Sequence, residues 1–352
     1  MACRENREKV TVLAERAGVT KTGAVLLGDN VACDAFDADR PLRIVTHAHA
    51  DHLGGLRKSL KCCEKVIMTP ATRDLAGIVN PTFKLGNNNV LSLEYNKPFK
   101  YKDETVTLLK ADHIMGAAQV LVEDIDGNRI VYTGDFKLEE TPVIDCDVLV
   151  VEATYGDPLC RRNFDVNINE LLVSMIERRL RGGSVYVFGF YGKLQEVMQM
   201  LRKADVEVPF IMSDTVHEVS KVCDNYGMNL GSLTLDTSQE GQELLSKDLP
   251  CVAFYHTNAR FKVGLKNSRI CVSGWEFQNP CKQISENEYL VALSDHSDFD
   301  CLIEYVKRSK AKQVITDNYR SNHGKALAEE ITKKLGVPAV AQPLDKGQTT
   351  LL

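Results

Sequence analysis

Three imidazoles and a carboxylate stand within six residues in the segment Thr46-His47-Ala48-His49-Ala50-Asp51-His52. The whole chain has 8 histidines, so this density is far from what scattered surface histidines would give. On a turn, His47 and His49 can face one metal ion while Asp51 and His52 face a neighbour. Nitrogen and carboxylate donors without thiolates suit catalytic zinc or manganese rather than structural zinc. Two later clusters complete a coordination set. His113, in Ala111-Asp112-His113-Ile114, is the expected third ligand of the first ion, and Asp135, in Thr133-Gly134-Asp135-Phe136, the expected bridge between both. Either alone would read as a capped turn; beside the first motif, each reads as a ligand. Two cations so held, commonly about 3.5–4 Å apart, acidify a bridging water and stabilise charge at the attacked centre. Hydrolysis at phosphorus or at a carbonyl carbon is the chemistry to expect.

Such donors need rigid supports, and the surrounding pattern supplies them. Residues 42–46 read as a strand ending directly at His47, preceded by short strands at 24–27 and 30–33 and followed by others at 66–68, 90–93 and 106–109. Strands at 118–122 and 129–133 flank the turn Asp124-Ile125-Asp126-Gly127-Asn128, and a third follows at 147–151. Each runs into a polar cluster, which is how a scaffold presents ligands. Residues 5–17 have a helix-favouring composition. After about residue 160 the texture changes to strand–helix alternation, with helices at 167–181 and 193–203 around an apolar run at 184–190, as in a parallel α/β unit. The last third shows strands at 269–273 and 313–316 and helices at 299–309 and 325–334.

Together the histidine motif, His113 and Asp135 resemble the metallo-β-lactamase superfamily. The resemblance implies an α/β fold, a four-layer αβ/βα sandwich with two metals at one edge of its sheets. Val150-Val151-Glu152-Ala153-Thr154-Tyr155-Gly156-Asp157 is similar to the first acidic motif of the β-CASP nucleases, and Ser294-Asp295-His296-Ser297-Asp298 to the second. By that resemblance His296 is the general acid, Glu152 orients it, and Asp51 takes part in catalysis by holding the second metal. The resemblance also implies a core over residues 1–160, an α/β β-CASP insert over 161–270 and the completed core over 271–352. The third β-CASP motif departs from the family, which usually has a metal-binding histidine there. Here the chain reads Thr316-Asp317-Asn318-Tyr319-Arg320-Ser321-Asn322-His323, so Asp317 is the expected ligand and His323 a substrate contact. Lys193 and Arg260 are further candidate substrate contacts, set against plain readings as a helix start and a solvated charged face.

The implied activity is phosphodiester hydrolysis of RNA by two divalent ions, zinc first and manganese second. A DNA-repair nuclease, a small-ester hydrolase and a silent nucleic-acid or partner-binding homologue are the alternatives. RNA is the expected partner, single-stranded DNA the next, and a homodimer stays open. A net charge of −5 argues mildly against a polyanion partner, although a local basic groove or a metal can offset it. Eleven cysteines without a C-x-x-C pair suit a reducing compartment and argue against a thiolate zinc site. No apolar stretch reaches membrane-spanning length and the first residues lack a signal-peptide core, so a cytoplasmic protein is expected.

Overall fold

The computed structural model describes residues 16–344. The helix expected over 5–17 therefore falls outside the described residues except at its end, where Ala17 opens a strand instead. The chain divides into two units, Arg162–Asp295 and the remainder.

The first unit begins with six short strands, β1 (Ala17–Val19), β2 (Val25–Leu27), β3 (Val31–Cys33), β4 (Leu42–Ile44), β5 (Lys65–Met68) and β6 (Val90–Ser92). They form one sheet in sequence order, antiparallel up to β3 and parallel from β3 to β6. Helices α1 (Leu56–Cys62) and α2 (Pro70–Val79) make the connections from β4 to β5 and from β5 to β6. Thr69 caps α2 by accepting from the Thr72 amide, with Pro70 at the first helical position, where its missing N–H costs nothing. Five more strands follow: β7 (Pro98–Tyr101), β8 (Glu104–Lys110), β9 (Ala118–Glu123), β10 (Arg129–Tyr132) and β11 (Val148–Val151).

The second unit contributes α3 (Ile168–Leu180), β12 (Val185–Gly189), α4 (Lys193–Lys203), β13 (Phe210–Met212), α5 (Asp214–Asn225), β14 (Leu233–Leu235), α6 (Gln239–Ser246), β15 (Val252–His256), β16 (Ser268–Val272), β17 (Cys281–Ser285) and β18 (Glu288–Val291). Its strands make one sheet in the order β14-β13-β15-β12-β16-β18-β17, parallel except for the edge strand β17. The structure thus carries this unit to Asp295, past the boundary at 270 that the sequence suggested. The apolar run at 268–272 has the texture of a returning core strand, but it pairs with β12 from Val185↔Ser268 onward and belongs to this second sheet.

The chain then completes the first unit with α7 (Phe299–Ser309), β19 (Gln313–Asp317), α8 (Gly324–Leu335) and β20 (Ala339–Gln342). The resulting sheet runs β20-β19-β11-β10-β9-β8-β7. Val25, Leu27 and Ile44 of the first sheet pack with Val120, Ile130, Val150 and Ile315 of this one. On its other face, Leu149, Val151 and Val314 pack against Phe299, Leu302, Leu327 and Ile331 of α7 and α8. With α1 along β5, the layers read helix, sheet, sheet, helix: the sandwich expected from the sequence. Strand β11, Val-Leu-Val-Val, is buried on both faces and is accordingly an unbroken apolar run. Truncating Ile315→Ala at this centre removes a fully buried side chain and should cost about 2–5 kcal/mol of unfolding free energy, measurable by urea titration. Among the described residues no helix is long and apolar enough to cross a membrane, and the cysteines are free thiols.

Candidate metal centre

Strand β4 ends two residues before Thr46-His47, so the backbone delivers the histidine segment at the sheet edge. A short 3-10 turn, Ala50–His52, folds Asp51 and His52 back toward His47. The loop before β9 brings His113, and the turn after β10 brings Asp135. Gly134 has φ 56°, and a Cβ there would lie 2.9 Å from the Ala118 carbonyl, so glycine is what lets the chain turn Asp135 inward.

Four donors converge from these segments. Ligand atoms of His47, His49, His113 and Asp135 all lie within 4.8 Å of one another. His113 Nε2 is 3.1 Å from His49 Nδ1, and Asp135 Oδ2 is 3.6 Å from His47 Nε2 and 3.9 Å from His113 Nε2. Asp135 Oδ2 also lies 3.2 Å from His52 Nε2, which is itself 3.4 Å from Asp51 Oδ2. Asp135 is therefore shared between a His47/His49/His113 group and an Asp51/His52 group. His47 Nε2 and His52 Nε2 are both buried without a hydrogen bond. An unsatisfied buried imidazole nitrogen is costly, and two of them aimed at one carboxylate are what divalent cations would satisfy. The donor set fits such ions.

The electrostatics agree. Burial, with His52 and His113 nearby, holds His47 well below the usual histidine range, leaving it the neutral ligand a metal requires. Burial works against charge on His52, but Asp135 and Asp34 outweigh it and push its pKa well up. Burial likewise works against charge on Asp135, yet His52 and His47 keep it a carboxylate. The site is a compact set of mutually repelling or pairing groups, arranged for positive charge at its middle.

Behind the ligands sits a residue the sequence did not reveal. Asp34, fully buried after β3 with φ 61°, accepts from the Thr46 amide at 2.8 Å and the Thr46 hydroxyl at 2.7 Å, and its Oδ2 is 2.7 Å from His52 Nδ1. It fixes the ring so that Nε2 faces Asp135, the role carboxylates play behind ligand histidines. Asp34→Asn should lower the affinity of the His52 group for zinc about 10–100-fold in a chelator-competition titration, with the four-donor group unchanged. Arg43, also buried, donates to the His52 carbonyl at 2.9 Å and completes the support.

Next to this centre, Glu152 follows β11 and is 3% exposed. Its Oε1 accepts from the Phe136 amide at 2.9 Å, which locks it to the residue after Asp135. His296 Nδ1 lies 3.1 Å from Glu152 Oε2 and 3.2 Å from Oε1. Ligand atoms of Asp135, Glu152 and His296 also fall within 4.8 Å of one another, and the His296 ring meets that of His113 edge-on at 4.7 Å.

The remaining candidates lie elsewhere. Asp317 is buried, but its Oδ2 accepts from Arg320 Nη1 at 2.6 Å and its Oδ1 from the Tyr319 amide at 2.9 Å. It joins none of the ligand groups found among the described residues. Arg320 also donates to the Gly23 carbonyl at 2.9 Å, anchoring the segment to the first sheet. His323 Nδ1 donates to the Thr154 carbonyl at 2.9 Å, and Ser321 donates to the Ala153 carbonyl, so this segment braces the turn that carries Glu152. In the second unit, Lys193 is 7% exposed and paired with Asp295, and Arg260 is paired with Glu288.

A family model for the Beta-lactamase superfamily domain matches residues 40–178. A protein of Acidianus ambivalens, known only as uncharacterised, is 39% identical over 140 residues, 39% of this chain and 100% of its own length. This chain belongs to the metallo-β-lactamase superfamily. A probable RNase of Methanocaldococcus jannaschii is 25% identical over 256 residues, covering 62% of this chain and 59% of the relative, so the chain spans less than two thirds of that protein. A solved Enterococcus faecalis protein of unknown function shares the fold, with TM-score 0.59 and 13% identity over 94% of this chain and 97% of its own. Within the superfamily, the β-CASP branch is the one expected to add an α/β insert and a glutamate–histidine pair, and both features are present in this chain.

Proposed function

We propose that this superfamily member is a metal-dependent nuclease that hydrolyses RNA phosphodiesters. One observation carries the reading: the Glu152–His296 pair stands against the four-donor cluster, where a hydrolase of small esters would need only the cluster. The probable RNase among its relatives supports the same substrate class. His47, His49, His113 and Asp135 would hold one divalent cation, and Asp51, His52 and Asp135 a second, with zinc the first choice and manganese the next. Cations bound there would acidify the attacking water and neutralise charge on the phosphate oxygens.

The chain's own residues then divide the work. Asp135 sets the spacing of the two ligand groups, and Asp34 holds His52 to it. Glu152 accepts from His296 Nδ1 and so turns Nε2 outward, where it can deliver a proton to the departing oxygen. Thr133 accepts from the Glu152 amide at 3.1 Å and His323 supports the next turn, so the acid is oriented from two sides. A soluble, cytoplasmic setting fits free thiols and a site of unprotected imidazoles.

The test is digestion of end-labelled RNA and single-stranded DNA, with a chromogenic ester in parallel, in zinc or manganese. Cleavage of RNA well ahead of the others is expected. Hydrolysis of the ester alone would replace the nuclease reading with that of a small-ester hydrolase, and preference for DNA would move the substrate to repair.

A further inference from the structure

The second unit is an open, almost wholly parallel sheet, and such sheets bind ligands outside the carboxyl ends of their strands. Three consecutive strands, β15, β12 and β16, end there in register, with Gly189 opposite His256 and Phe188 opposite Cys271. Each end carries a ring. Phe190, directly after β12, is 54% exposed and meets His256, the last residue of β15, edge-on at 5.1 Å. Tyr191 lies 5.1 Å from the same imidazole. Beyond β16, Trp275 is 62% exposed, on a loop that is held: Arg162 donates to the Gly274 carbonyl and lies 4.9 Å over Phe277, whose ring meets Trp275 edge-on.

We propose that this edge is a base-stacking platform for single-stranded nucleic acid, with Trp275 and Phe190 as its principal rings. The proposal deepens the nuclease reading and rests on it. Burying large rings is worth more than exposing them, so two rings left open on a braced edge mark an interaction surface. Nucleobases suit it better than an apolar peptide because the rings stand on separate strand ends, interrupted by polar groups such as Ser273 and Asn258, rather than merging into an aliphatic groove. Strand ends about 4.8 Å apart offer successive stacking positions, and Arg162 brings positive charge to the loop that carries Trp275. Stacking accepts any base, so the platform would grip the strand without reading its sequence.

Trp275 is the chain's single tryptophan, so its fluorescence reports this edge alone. The experiment titrates the metal-loaded protein with a hydrolysis-resistant phosphorothioate uridine dodecamer, and with an abasic strand of the same backbone. Total binding is followed by anisotropy of a labelled strand. The uridine strand should quench Trp275, and the abasic strand should bind weakly without quenching. Phe190→Ala and Phe190→Leu should each weaken uridine binding roughly 5- to 100-fold, with the abasic strand unaffected. Equal binding of both strands, binding without quenching, or unchanged affinity in the Phe190 variants would overturn the platform while leaving the nuclease reading intact. Absence of both binding and RNA cleavage would remove the two together. Quenching by an unrelated apolar peptide, with none by uridine, would assign the edge to a protein partner instead.

Discussion

Replacing His296 with alanine should slow RNA cleavage by roughly 10²–10⁴ while metal content, measured by elemental analysis, stays the same. The two halves of this expectation come from separate contacts. His296 faces Glu152 at 3.1 Å, and Glu152 in turn is fixed by the Phe136 amide, so the pair forms a proton-holding arm rather than part of the four-donor group. Removing the imidazole takes away a ring packed edge-on against His113 but none of the four donors His47, His49, His113 and Asp135. Glu152→Gln should give a smaller loss, because the amide holds the His296 ring in place less firmly than the carboxylate does. Wild-type turnover in a folded His296→Ala protein would take this residue out of the reaction. Loss of metal along with rate would make it a ligand instead.

A second large effect is expected at Asp135. Its Oδ2 lies between 3.2 and 3.9 Å from ring nitrogens of His47, His52 and His113, so one carboxylate serves both ligand groups. Asp135→Ala should cut bound metal per chain substantially and lower turnover by at least about 10³-fold, since several kcal/mol of charge stabilisation depends on cations at this position. It should also lower stability, because the buried ring nitrogens of His47 and His52 would lose the carboxylate they face. Unchanged stoichiometry with falling rate would confine Asp135 to positioning. The paired measurements thus separate the proton arm from the ligand cluster.

Much of this centre could be read from residue types and spacing. Three histidines in six positions after an apolar run, followed by His113 and Asp135 at later strand ends, need little tertiary information. The flanking strands were legible for the same reason: β11 is apolar on both faces, and the Thr69-Pro70 start of α2 is a local signal. What escaped depends on partners far away in the chain. Asp34 is a lone aspartate after a short strand until it is seen 2.7 Å from His52. The pairing of Lys193 with Asp295 and of Arg260 with Glu288 is likewise unmarked by anything local in the sequence. Asp317 is the expected ligand by its position in the motif, and its contact with Arg320, three residues on, is a feature that position alone does not show. The sheet to which β16 belongs was equally hidden, because it is apolar like a core strand and only its pairing with β12 assigns it.

The pairing of β11 with β19 has a consequence for how this molecule is made. Val148 meets Gln313 across the whole intervening unit, so the sheet that runs from β20 to β7 stays open at β11 until β19 has been translated. The Arg162–Asp295 unit, by contrast, is one uninterrupted stretch and can close first. Every residue of the four-donor cluster is translated before that unit begins, and His296 only after it ends. A nascent chain would therefore own its donors long before it owns its acid, and chemistry would wait on the segment that follows the Arg162–Asp295 unit.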